Sequence, residues 1–178
     1  MRDCGFIADD AAGAAGGDLG ERLVAGVAAM GDVVRSVDDP ARRLEPATWS
    51  PLEYLCHVRD VLLVQRERVL QARREERPTP APMGRDERVD HDGYAEQDPE
   101  AVIRQATDAA SMFVHVLDRL GTEDWERTVG YNYPTPPERS LRAVAVHTLH
   151  EVEHHLGDAR AAAPGTTKPL PSQGPGSR

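Results

Sequence analysis

At 178 residues the chain is about one domain long, enough to bury a single sizeable core. A formal net charge of -9 excludes a nucleic-acid footprint, and the arginines of 66–77 are interleaved with Glu67, Glu75 and Glu76, as on a solvated helix end. No apolar run reaches the 18 residues of a membrane span, the N-terminus lacks a basic-then-apolar secretion signal, and the two cysteines (Cys4 and Cys56) suit a reducing, cytoplasmic setting.

Residues 1–17, rich in Gly, Ala and Asp, are expected to be disordered. Leu19, Leu23, Val24, Val27, Met30 and Val34 recur at helical spacing and predict a first helix over 18–37. The second helix, 50–74, carries a start signal: Ser50 as N-cap, Pro51 at the first turn and Glu53 three residues after the cap. A long loop with Pro78, Pro80, Pro82, Gly84 and Gly93 follows. Asp98 and Pro99 open a third helix over 99–120, with Val102, Ile103, Ala106, Ala110, Phe113, Val114 and Leu117 on one face. A second loop holds Trp125, Tyr131 and Tyr133, and Ser140 then opens a last helix over 140–162. The Pro/Gly-rich residues 163–178 are expected to be a disordered tail. No segment alternates with period two for long, so the expected fold is all-α, a four-helix bundle over 18–162 with long connecting loops.

Four of the seven histidines lie within nine residues of the last helix: His147, His150, His154 and His155, with Glu151 and Glu153 between them. Imidazoles and carboxylates gathered on one segment are the raw material of a metal site. Residues 150–154 spell the H-E-x-x-H pattern of zinc proteases. On a helical wheel, Leu141, Ala145, Leu149, Val152, Leu156 and Ala159 form the apolar stripe. His155 sits on its shoulder, Glu151 is next outward, then His147, while His150 and His154 fall on the far side. The protease pair would therefore face water with no further ligand downstream. Glu151 and His155, spaced i, i+4, can instead turn one side toward the bundle interior. Taken alone, this pair also suits a surface hydrogen bond beside a satisfied core histidine.

Trp49, Ser50, Glu53 and His57 resemble the second-helix motif of the DinB-like superfamily, in which a ligand histidine follows the tryptophan by eight residues. The segment 150–158 is similar to the last helix of the same superfamily, with His155 in the ligand position, Glu151 as its partner and Asp158 closing the motif. The Glu-plus-His form is most similar to mycothiol-dependent maleylpyruvate isomerase. The resemblance implies a bundle with a divalent metal on His57, Glu151 and His155. Without it His57 is ambiguous, because Tyr54, Val61 and Val64 flank it while Leu55, Leu62 and Val69 offer another apolar stripe. Cys56 reads as a small core residue, with a ligand role as the alternative, and His91 and His115 as solvated.

Three protein ligands leave an open coordination position, as in catalytic zinc; the same donor set serves non-haem iron, and nickel or manganese is compatible. The resemblance implies that a low-molecular-weight thiol such as mycothiol could take that position. Tyr131, Tyr133, Arg139 and Arg142 could hold a carboxylate or a cofactor in the loops. The leading expectation is a metal-dependent thiol transferase or isomerase acting on a small molecule. The alternatives are a hydrolytic or oxidative metalloenzyme on the same site, or a non-catalytic ligand-binding bundle. Neither nucleic acid nor membrane is an expected partner, and homodimerisation stays open.

Overall fold

The computed structural model describes residues 16–131 and 138–163. The ends expected to be disordered lie outside these, except Gly16 and Gly17, which belong to the first helix, and Ala163, which caps the last. Four long helices form the bundle: α1 (Gly16–Arg35), α2 (Pro51–Arg74), α4 (Pro99–Asp118) and α5 (Leu141–Ala162). A short α3 (Arg85–His91) lies in the α2–α4 crossover, and a hairpin of β1 (Thr128–Gly130) and β2 (Glu138–Ser140) precedes α5. Among the described residues, no helix is long and apolar enough to cross a membrane.

Packing follows the apolar periodicity. α2 lies between α4 and α5, and α1 closes the opposite side against the same two helices. Because α2 is covered on two sides, Leu55, Leu62 and Val69 are fully buried together with Val58 and Val61, and His57 lies in the same interior. Of its two apolar stripes, Leu55, Leu62 and Val69 are therefore core throughout, while Tyr54 and Val64 are half-buried on either side of the buried Val61. α1 buries Leu19, Leu23, Val27, Met30 and Val34. A Cβ on Gly26 would come within 2.6 Å of Val152 Cγ1, so glycine lets α1 approach α5 next to Glu151.

The loop between α2 and α4 is more ordered than its composition suggests. Gly84 (φ 67°) and Gly93 (φ 55°) supply left-handed turns at either end of α3, whose first turn carries Asp86 and Glu87. Asp60 of α2 anchors the whole crossover. Its carboxylate accepts from Tyr94 Oη at 2.7 Å, Arg88 Nη1 at 3.0 Å and Arg59 Nε at 2.8 Å. The hairpin is a second departure from an expectation of helices and loops alone. Three-residue strands are too short to show an alternation in sequence, and they form because Gly130 N donates to Pro78 O and Leu141 N to Arg127 O. β1 lies against α2 and β2 against α5, over the first turns of the histidine helix.

The start of α2 fixes where His57 sits. Ser50 Oγ accepts from Glu53 N at 3.2 Å, and Glu53 Oε2 accepts from Ser50 N at 2.8 Å, a reciprocal capping box. Glu53 is 1% exposed and also accepts from Arg43 Nε at 2.8 Å. Burial pushes its pKa up, but the bonds from Arg43 and Ser50 outweigh this and hold it below the ordinary value. Its contribution is therefore complete above the unfolded value of about 4.3 and is lost as pH falls through the lower folded value. Glu53→Gln should cost about 2 kcal/mol in urea unfolding at pH 7, and the deficit should shrink toward low pH. A pH-independent deficit would show that the carboxylate charge is not what stabilises this cap.

Candidate metal centre

His57 lies in α2 one turn beyond Glu53, under the ring of Trp49 at 5.2 Å between centroids. It is 2% exposed, and neither Nδ1 nor Nε2 has a hydrogen-bond partner among the described residues. Burial, with help from the charge of His155, pushes its pKa down to about 3, so the imidazole is neutral. A buried imidazole with two unmet nitrogens is costly unless something binds it.

α5 supplies the other two groups. Glu151 and His155 are one helical turn apart, and His155 Nε2 lies 3.5 Å from Glu151 Oε2. The ring of His155 meets that of His57 edge-on at 4.8 Å and stacks on Tyr54 at 5.5 Å. Its other nitrogen, Nδ1, is 3.0 Å from Asp158 Oδ2. That carboxylate can accept a hydrogen bond from Nδ1–H, the usual outer partner of a ligating histidine, while Nε2 faces Glu151. Burial would raise the pKa of Glu151, but the hydrogen bond from His155 and the charges of His155, His147 and His57 hold it near 2. It is ionised at neutral pH.

Donor atoms of His57, Glu151 and His155 all lie within 4.8 Å of one another. Ligand atoms around a tetrahedral zinc are about 3.3 Å apart, so a small inward adjustment would place all three on one cation. Two imidazoles and an ionised carboxylate are donors that fit such an ion, which would displace any proton on the coordinating nitrogen of His155. His154, His155 and Asp158 form a second, more exposed group that shares His155. In it Asp158 Oδ2 already serves His155 at 3.0 Å and approaches His154 Nε2 at 3.4 Å.

The remaining histidines divide by what covers them. His154 is exposed and its ring stacks with His150 at 5.9 Å, outside the inner cluster. His150 is half-buried where the wheel places it in solvent. His147 departs furthest from the wheel: it is 6% exposed, with Nδ1 3.0 Å from Tyr131 Oη and Nε2 3.6 Å from Glu151 Oε1. A wheel describes one helix and omits the chain laid over it. Here Val129 and Tyr131, at the end of β1, are buried beside that face of α5. Tyr131 is thus an interior residue and not a loop contact for substrate, while Tyr133 lies outside the described residues. Arg142 stacks on Trp125 at 5.3 Å and pairs with Glu126. Cys56 is fully buried with its pKa pushed up to about 12 by burial, so it is a thiol in the core, and His91 and His115 are exposed. Cys4 lies outside the described residues.

No curated protein matches the chain significantly. Among solved structures it is similar to YfiT from Bacillus subtilis, described as a probable metal-dependent hydrolase with an unusual four-helix bundle topology. The TM-score is 0.75 at 13% identity, over 91% of both chains. At that identity the likeness concerns the fold. The family model of the DinB superfamily matches residues 14–159, from the start of α1 to the last turns of α5 and across all three clustered side chains. The chain therefore belongs to the DinB superfamily.

Proposed function

We propose that this protein is a metal-dependent enzyme in which His57, Glu151 and His155 hold a divalent ion, and that it transfers or isomerises a small electrophilic substrate by way of a low-molecular-weight thiol. One observation carries the metal assignment: the buried His57 ring, with no hydrogen-bond partner among the described residues, brings one nitrogen within 4.8 Å of donor atoms of Glu151 and His155. Zinc suits two nitrogens and one oxygen, and iron, nickel or manganese are accommodated by the same donors.

When bound, such an ion supplies Lewis acidity and lowers the pKa of whatever protic group takes its open position. The chain's own residues set which nucleophile that favours. One carboxylate and two neutral imidazoles leave a dication with net positive charge, so the open position prefers an anion. Glu151 lies between two imidazoles and Asp158 is bonded to His155, so both carboxylates of the cluster are committed. Water, with a free pKa near 15.7, needs a far larger push than a thiol near 8.5. Trp49 and the stacked Tyr54 add aromatic walls that suit an organic substrate. A hydrolytic reading has its own support in the description of YfiT, and it differs only in placing water where the thiol would go.

Two measurements test these statements separately. His155→Ala should weaken zinc or cobalt binding by at least 100-fold in a competitive chelator titration, while His150→Ala should change it less than threefold; the reverse ranking would restore the H-E-x-x-H pair. Adding a small thiol to the cobalt-loaded protein should produce a sulfur-to-cobalt charge-transfer band, with an apparent thiol pKa well below about 8.5. A cobalt-loaded protein whose spectrum ignores every cellular thiol tested would leave the hydrolytic reading in its place.

A further inference from the structure

A chain of buried polar side chains reaches the metal cluster from the side opposite His155. It begins at Arg68 of α2, whose guanidinium lies over the Tyr131 ring at 5.2 Å and donates from Nη1 to Gln65 Oε1 at 3.3 Å. Gln65 Nε2 donates to Tyr131 Oη. Tyr131 Oη is 3.0 Å from His147 Nδ1, and His147 Nε2 faces Glu151 Oε1 at 3.6 Å. Gln65, Tyr131 and His147 are 4%, 4% and 6% exposed.

The donor and acceptor inventory gives this chain one direction. A guanidinium only donates, so Gln65 must turn its carbonyl oxygen toward Arg68 and its amide nitrogen toward Tyr131. The phenol oxygen is then an acceptor from Gln65, and its own proton points along the contact with His147 Nδ1. A neutral imidazole that accepts at Nδ1 carries its proton on Nε2. That N–H is the group facing Glu151 Oε1.

We infer that Arg68, Gln65 and Tyr131 lock His147 in its Nε2–H form, making it a positioning residue that turns this N–H toward one oxygen of Glu151, at 3.6 Å and so beyond hydrogen-bond length, and cannot itself ligate the metal through Nε2. Glu151 is then divided between two neighbours, with Oε1 toward the His147 N–H and Oε2 toward His155. A carboxylate so divided would offer one oxygen to the ion. The fourth imidazole nitrogen nearest the cluster stays out of the coordination sphere, so a position remains for an exogenous ligand. This inference rests on the metal assignment above.

Nitrogen-15 NMR of the metal-free wild-type protein reads the tautomer directly, and the Nε2–H form is expected at His147. Tyr131→Phe removes the donor to Nδ1 and frees the ring to present a lone pair at Nε2. In the cobalt-loaded variant the visible bands should change in intensity as a fourth protein ligand or a second carboxylate oxygen binds. Thiol affinity, read from the charge-transfer band, should fall about tenfold or more. An Nδ1–H tautomer in the wild type, or a Tyr131→Phe protein with unchanged cobalt bands and thiol affinity, would overturn the inference while leaving the metal assignment intact. Failure of the wild type to take up cobalt would overturn both. Should Tyr131→Phe not fold, the wild-type tautomer alone decides.

Discussion

The structure depends on burying an imidazole that no group among the described residues satisfies. An unmet buried polar atom costs about 1–3 kcal/mol, and a domain of this size has only about 5–15 kcal/mol in total. His57 carries two such atoms and is therefore a substantial liability in the metal-free chain. The surrounding architecture holds it in place nonetheless. The capping box at Ser50 and Glu53 sets the start of α2 one turn before the ring, and Trp49 lies against its face. Asp60, nearly a turn beyond, ties the same helix to the crossover through Tyr94 and Arg88. Across the bundle, Gly26 lets α1 pack closely on Val152 of α5, the residue next to Glu151. Strain of this sort is retained where a site must stand ready for a ligand.

Electrostatics in the cluster follow a division between inner and outer carboxylates. Burial pushes the pKa of Glu151 up, yet the hydrogen bond from His155 and the neighbouring imidazoles outweigh it and keep the carboxylate ionised. Asp158 is closer to solvent and is held down chiefly by its bond with His155. One carboxylate therefore offers charge to the centre of the bundle, and the other fixes the ring that shares the task. With the roles exchanged, the inner site would hold fewer donors and the outer carboxylate would have nothing to orient. The order along α5, Glu151 then His155 then Asp158, is what the i, i+4 and i, i+3 geometry of a helix requires for that division.

Much of this was legible in the sequence, for identifiable reasons. Helices of 20 residues or more repeat their apolar pattern several times, so α1, α2, α4 and α5 stand out with ends within two residues of those expected. The start of α2 carried its own chemistry in Ser50, Pro51 and Glu53. Glu151 and His155 could be paired from helical spacing alone, whereas His57 needed the family motif, because periodicity cannot choose between two apolar stripes on a helix that is covered on two sides. What escaped was short or covered by something distant in sequence. α3 spans seven residues and each strand three, too few for a period to show. His147 was misplaced because its cover, Tyr131, comes from a different element.

That misplacement explains why the literal motif in α5 misleads. A helix bearing histidines at 147, 150, 154 and 155 presents them in several directions, and the fold assigns each a role by what lies opposite. His155 meets α2 and the His57 ring; His147 meets the end of β1 and a tyrosine; His154 meets solvent. The H-E-x-x-H pair needs His150 and His154 to face a common interior, but Glu153 between them bonds Arg22 of α1 on the surface, so that side of α5 is its outer rim. A pattern match records residue types at fixed spacing. A ligand set also requires a second element to approach from the right side, and among the described residues it is the side carrying Glu151 and His155 that meets α2 with the unpartnered ring of His57.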